Sequence, residues 1–284
     1  MKKRLFLLLY LLLAFQVIAS SQESGHLLSF LQGKRIYPVV FLDPLECQLM
    51  GGSYFMHRNK ENADLYSTVN MGFNLPVLSG TTKDISWEFN FGTANFTQFG
   101  LDRKKDGSYL AGLINSDFKL SCDYSIRKGN NIFRLRLFHI SSHLGDDFTR
   151  RNSDSLKSDK SNNYEQVDFS YLRALKKGFY YATTGIVYTK YVIRKRFSIT
   201  GGGLMDFGGR ERLNFFTASD IKLLAENYFY PDIRGAFGIA FKRQGETLIR
   251  IWAEYYSGRL PYSIIDLGRV NWAGLAILPC GGQL

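Results

Sequence analysis

The sequence predicts an all-β protein: a transmembrane antiparallel β-barrel of about 12 strands. Three observations predict it. The chain opens on an export signal, it holds no second apolar stretch long enough for a membrane helix, and most of the remainder alternates polar with apolar residues in segments of about ten.

The export signal comes first. Lys2, Lys3 and Arg4 form a short basic run, and Leu5 to Ala19 is almost unbroken apolar sequence. Val17 and Ala19 place small residues at minus three and minus one, so residues 1–19 read as a secretory signal cleaved before Ser20. The competing reading, an uncleaved anchor, asks for roughly 20 apolar residues, more than this run supplies. No cysteine follows the run, so lipidation is not expected. Cys47, Cys122 and Cys280 are odd in number and far apart; they make neither a disulfide framework nor a zinc pattern and read as isolated small apolar residues.

Composition narrows the partners. The chain carries a formal charge of +11, and removing the three positive charges of the signal leaves about +8. A basic exported protein meets anionic headgroups, lipopolysaccharide phosphates or other polyanions. Nucleic acid is not expected, because no recognition motif is present and the chain leaves the cytoplasm. Aromatic residues make up 15%, with 17 Tyr and 23 Phe, as strands with interfacial girdles require.

Twelve strands are expected near residues 46–57, 64–75, 83–99, 109–126, 131–142, 164–175, 178–192, 197–207, 213–224, 232–242, 246–257 and 266–278. In 248–256, Ile249, Ile251, Ala253 and Tyr255 share one face, and Arg250 and Glu254 the other. Short turns at 127–130, 176–177, 208–212 and 243–245 mostly alternate with longer polar links at 100–108, 143–163, 225–231 and 258–265. A barrel with both termini in the periplasm has short turns there and long loops outside, which twelve strands satisfy; eleven would turn the 143–163 loop inward. The barrel is assigned to residues 46–279, and residues 20–45 to a periplasmic segment, either an extension or a plug. A soluble β-sandwich or periplasmic lumen-binding barrel is the competing fold; aromatic content, strand count and turn asymmetry favour the membrane.

Arg134 and Arg136, Asp220 and Lys222, and Arg250 and Glu254 are expected inside the lumen, as an ion-pair lattice that plugs it or as the lining of a solute path. If those arginines point inward, His139 and Ser141 point to lipid with Phe133, Leu135 and Leu137, near the external end of the strand. An imidazole two residues from a hydroxyl can take the serine proton, and Glu165 on the next strand can orient it. Ser141, His139 and Glu165 are thus a candidate catalytic triad. His143, Asp146 and Asp147 are a candidate divalent-cation site, with calcium the expected ion.

Four groups of residues carry a family resemblance. They are Tyr37-Pro38 with Asp43-Pro44; Phe138-His139-Ile140-Ser141-Ser142-His143-Leu144-Gly145-Asp146-Asp147; Ala218-Ser219-Asp220-Ile221-Lys222 with Glu226-Asn227; and Glu254-Tyr255-Tyr256-Ser257-Gly258-Arg259. Together they resemble an uncharacterised family of bacterial outer-membrane barrels catalogued as a domain of unknown function, family 1207. The resemblance spans nearly the whole mature chain and implies an outer-membrane barrel inserted by the outer-membrane assembly machinery, with membrane lipids as contacts and no stated chemistry. Such barrels end on an aromatic residue, whereas this sequence ends Pro279-Cys280-Gly281-Gly282-Gln283-Leu284. Locally, the His139-x-Ser141 pair resembles outer-membrane phospholipase A and the barrel-type lipid A deacylase. That likeness implies an acyl-ester hydrolase whose orienting residue lies about a dozen residues beyond the serine, here near Asn152 to Asp154. Three functions therefore stand: a barrel of unassigned envelope role, an interfacial lipid hydrolase, and a channel or transporter.

Overall fold

The computed structural model describes residues 27–30, 35–58, 64–103, 109–151, 163–189, 195–210, 212–261 and 268–280. The predicted signal, the 152–154 region and the last four residues lie outside that set.

Twelve antiparallel strands close a cylinder: β2 (Met50–Arg58), β3 (Asp64–Thr82), β4 (Ile85–Arg103), β5 (Tyr109–Lys128), β6 (Asn131–Leu144), β7 (Tyr164–Leu175), β8 (Gly178–Val187), β9 (Phe197–Arg210), β10 (Leu213–Leu224), β11 (Pro231–Arg243), β12 (Glu246–Arg259) and β13 (Arg269–Pro279). Each pairs with its sequence neighbours, and β2 pairs with β13 to close the ring. A short strand, β1 (Leu27–Phe30), adds to β3 through the register Leu27 to Thr81 and Phe30 to Leu78. No helix among the described residues is long and apolar enough to cross a membrane; the crossing is made by strands.

The strand positions follow the predicted ones within a few residues, with two informative differences. β3 continues past residue 75 to Thr82 because a register shift between Pro76 and Leu78 lets the ladder absorb a proline that donates no hydrogen bond. The barrel wall begins at Met50 rather than at residue 46.

Connections at the two ends differ. The strand pairs β3–β4, β5–β6, β7–β8, β9–β10 and β11–β12 are joined at one end, each by two residues. Gln244 and Gly245 both have positive φ, 52° and 83°, as the type I′ hairpin turn requires. A Cβ on Gly245 would meet open space, so Gly245→Ala should cost only the left-handed backbone penalty, about 1–2 kcal/mol in urea unfolding of the folded barrel. The opposite end carries the longer links, including α1 (Asp146–Arg151) after β6. In bacterial barrels the short-turn end faces the periplasm.

Alternation sorts the side chains. On β6, Ile132, Arg134, Arg136, Phe138 and Ile140 are buried in the lumen, while Phe133, Leu135 and Leu137 are 42%, 52% and 46% exposed. Phe118, Leu120 and Phe169 on adjoining strands continue this outer apolar wall.

The lumen is filled by residues 35–48. Tyr37, Val40, Phe41, Leu42, Asp43, Leu45, Glu46, Cys47 and Gln48 are all buried there. Thus residues 35–45 of the predicted periplasmic segment lie within the cylinder, while its other described part, Leu27–Phe30, pairs with the end of β3. The segment enters near the short-turn end, where Glu88 accepts hydrogen bonds from the Ile36 and Tyr37 amides at 2.7 and 3.2 Å. It reaches the outer half at Asp43 and Pro44, which lie beside Lys222 and Arg234, and returns to Met50. Phe41 packs edge-on against Phe216 and Trp252, with centroids at 5.6 and 4.8 Å. The three cysteines are free; Cys47 belongs to this luminal segment rather than to a strand.

Candidate functional site

Two polar constellations stand out, one inside the lumen and one on the outer wall. The luminal lattice is centred on Glu46. Its carboxylate accepts from Arg134 Nη1 at 3.1 Å, Arg136 Nη1 at 3.2 Å and Arg35 Nη2 at 3.4 Å. Arg136 also reaches Asp168 at 2.7 Å and Asp43 at 3.3 Å. Lys119 Nζ donates to the Leu45 carbonyl at 2.5 Å, and the Arg134 guanidinium stacks 3.8 Å over the Tyr37 ring. Further round the wall, Arg234 pairs with Glu254 at 3.5 Å, Lys222 with Asp43 at 3.8 Å, and the Tyr181 hydroxyl donates to Asp220. Arg134, Arg136, Asp220 and Glu254 are thus buried as the alternation implies. Of the acids that neutralise the β6 arginines, Asp43 and Glu46 come from the plug and Asp168 from β7, and none of the three is among the lattice residues expected from sequence.

Burial raises the proton affinity of both plug carboxylates, but the surrounding cations outweigh it. Lys222, Arg136 and Lys119 hold Asp43 well below the usual carboxylate range, and Arg134, Arg136 and Arg35 hold Glu46 below it.

The outer-wall constellation lies on β5, β6 and β7 near the long-loop end. With Arg134 and Arg136 inward, His139, Ser141 and His143 face out. His139 stands directly across from Glu165, and His139 Nδ1 is 2.9 Å from Glu165 Oε1. A carboxylate only accepts, so Nδ1 carries the proton and Nε2 is left as the basic nitrogen. Glu165 is fixed in turn by the Thr189 hydroxyl, which donates to its second oxygen. The Ser141 hydroxyl does not bond His139. It lies 3.0 Å from His143 Nε2, while the edge of Phe118 meets the His143 ring at 5.7 Å. The structure therefore joins His139 to Glu165 as the sequence suggests, and adds His143 and Thr189, which sequence reasoning had left out of the catalytic group. Thr189 carries no local signal; only the register of β7 and β8 brings it to Glu165.

Beyond His143 the polar streak continues across the wall. Ser116 is its cross-strand partner, and Asn95 Nδ2 donates to Ser116 Oγ at 2.8 Å. The streak is flanked by Phe118, Leu120 and Leu137.

The candidate cation site is not assembled. No group of three or more His, Cys, Asp or Glu side chains is placed to hold a metal among the described residues. Asp146 and Asp147 lie in the first turn of α1, where carboxylates favour exposed helix amides, and Asp147 accepts from the Leu113 amide at 3.4 Å. His143 is turned to Ser141 instead. Among the described residues, His143, Asp146 and Asp147 are thus not gathered into a donor set for calcium.

A closed antiparallel cylinder with an apolar outer wall and a charged, plugged interior is the architecture of outer-membrane barrels. The chain belongs to the family of proteins of unknown function DUF1207, whose family model matches residues 43–277. Among solved structures, it is similar to outer membrane phospholipase A from Escherichia coli, with 9% identity, 86% of this chain and 94% of that chain covered, and a TM-score of 0.52. It is also similar to the Salmonella typhi outer membrane phospholipase dimer with bound calcium, with 9% identity, coverages of 87% and 94%, and a TM-score of 0.52. At such identity these likenesses establish the fold. A search of curated proteins by sequence returns no match.

Proposed function

We propose that the protein is an interfacial acyl-ester hydrolase that acts on membrane lipid from the outer wall of its barrel. One observation carries this reading: two hydrogen-bonded pairs, Ser141 with His143 and His139 with the Thr189-braced Glu165, stand side by side on a face otherwise made for acyl chains. Ester carbonyls of a lipid lie at the boundary between acyl chains and headgroups, the depth expected for residues near the end of a strand.

In the proposed reaction Ser141 Oγ attacks the ester carbonyl and its proton passes to His139 Nε2. The Oγ–carbonyl bond forms, and the tetrahedral intermediate expels the alcohol, which takes that proton. Water then cleaves the acyl-serine by the reverse sequence. His139 is the base because it alone has an orienting carboxylate, and rotation about the serine Cα–Cβ bond swings the hydroxyl from His143 towards it. His143 holds that hydroxyl before substrate arrives. The fold shared with a phospholipase supplies a frame for such a site and nothing more.

Fatty-acid release from detergent-dispersed phospholipid and lipopolysaccharide tests the reading. Ser141→Ala and His139→Ala should each lower release by about 10³-fold or more, the scale seen when a triad member is lost. Glu165→Gln should fall between these and His143→Ala, which should retain most activity. Release by the parent protein that is indifferent to both Ser141→Ala and His139→Ala, or no release at all, removes the hydrolase reading.

A further inference from the structure

At the short-turn end the lumen opens into a cavity of about 1150 Å³, lined at three neighbouring hairpins: by Lys176 and Lys177 between β7 and β8, by Gly208, Gly209 and Arg212 where β9 turns into β10, and by Lys242, Arg243, Gln244 and Gly245 where β11 turns into β12. Its inner wall continues the luminal faces of the strands. Asp206 follows Leu204 on β9, Asn214 precedes Phe216 on β10, and Leu248 precedes Arg250 on β12. Deeper along these faces Arg250 lies 5.7 Å from the rings of Phe216 and the plug's Phe41, which with Trp252 form an aromatic layer. The cavity is therefore blind: open to the periplasmic side and closed above by the plug.

Its charge is one-sided. Lys176, Lys177, Arg212, Lys242 and Arg243 line it, and Asp206 is the one acid among the described lining residues. No ion pair joins any of the five cations to a carboxylate among the described residues, in contrast with the lattice a few residues above, where every arginine on β6 is matched. The spacing is built in. Asp206 donates its amide to the Lys177 carbonyl at 2.9 Å, and Lys242 donates its amide to the Arg212 carbonyl at 2.9 Å, so each turn is tied to a neighbouring strand. Gly208, Gly209 and Gly245, with φ of 63°, 109° and 83°, expose backbone in the same lining.

Five like charges held around one concavity repel each other unless a counter-anion joins them, and a concave low-dielectric wall focuses their field into the cavity. Their multiplicity suits a multivalent anion, and the planar guanidiniums of Arg212 and Arg243 suit phosphate oxygens in pairs. We propose that this mouth is a binding site for phosphate-bearing anions presented from the periplasmic side. The blind floor means that such an anion is held there rather than conducted. The site lies at the opposite end of the barrel from Ser141 and is independent of the hydrolase reading.

Titration calorimetry of the full barrel in zwitterionic detergent, with inorganic pyrophosphate as the probe, tests it. Binding is expected at low salt, weakening as salt rises and as screening shortens. Lys176→Gln with Lys177→Gln, and separately Arg212→Gln, should each weaken pyrophosphate by about tenfold or more. Lys83→Gln with Arg127→Gln removes equal charge from the same rim outside the cavity and should leave binding within about twofold of the parent. A second arm separates sources of phosphate: in nanodiscs, occlusion of the site by phosphatidylglycerol but not by phosphatidylcholine would assign it to lipid headgroups, and undiminished pyrophosphate binding would assign it to soluble phosphoanions. Absence of pyrophosphate binding in both detergent and phosphatidylcholine discs, or equal weakening by the rim control, overturns the proposal.

Discussion

Glu46→Ala is expected to be the most damaging single change in the barrel. Glu46 is 1% exposed and bonds Arg134, Arg136 and Arg35. Removing it leaves buried guanidiniums beside one another with less counter-charge, a situation that costs about 3–5 kcal/mol when one partner of a buried pair is lost. Urea unfolding in lipid vesicles, followed by the heat-modifiable gel shift, reads the loss directly. A companion variant separates broken pairing from lost packing. Glu46→Ala combined with Arg134→Met removes a cation together with its acid and should recover part of the stability. If the double variant is as unstable as the sum of the singles, the lattice is not what holds the plug. The same groups set an acid limit. Because cations hold Asp43 and Glu46 below their ordinary pKa, their contribution is complete above the unfolded carboxylate value of about 4. It is lost only as pH falls from there through the lower folded values. Plug docking, read by protease access to residues 35–48, should therefore be unchanged from neutral pH to about 4 and weaken below it.

The second large effect belongs to the outer wall. Leu137 is 46% exposed at mid-length on β6, between the inward Arg136 and Phe138. If this face meets hydrocarbon, Leu137→Arg should cost about 2–4 kcal/mol in a bilayer. Leu137→Ala should cost far less, because the side chain leaves lipid rather than a packed core. A soluble protein with the same face in water would barely register the arginine. Measuring both variants by urea titration in vesicles therefore tests the membrane assignment itself. Equal stability of Leu137→Arg and the parent would count heavily against it.

The sequence was most informative where a period of two repeats along a strand. The alternation around Arg134 and Arg136 implies that His139 and Ser141 lie on the face opposite the arginines, and in the structure they lie on the outer wall. Polar turn clusters located the hairpins because two-residue turns leave little freedom. Legibility failed where the determinant is a long-range contact. Nothing near Glu46 in the chain announces that it answers two arginines 88 and 90 residues away, and local alternation alone makes it the start of a strand. Ser141 has an imidazole two residues away on each side, and spacing alone does not say which one its hydroxyl meets. Backbone alternation assigns a face, whereas rotamer and register assign the bond. The motif residues of the family resemblance gain a shared meaning in three dimensions. Tyr37 and Asp43, Asp220 and Lys222, and Glu254 and Tyr256 all converge inside the cylinder, so most of what makes the sequence characteristic is the fit between plug and wall.

Closure between β2 and β13 has a consequence for assembly. The first wall strand meets the last, so the seam stays open until residues near 279 arrive. The acidic stopper is encoded directly ahead of that first strand, and it enters and leaves by the same mouth, so it hangs from the seam like a cork on a tether, its carboxylates seated among the arginines without any loop passing through the closed ring.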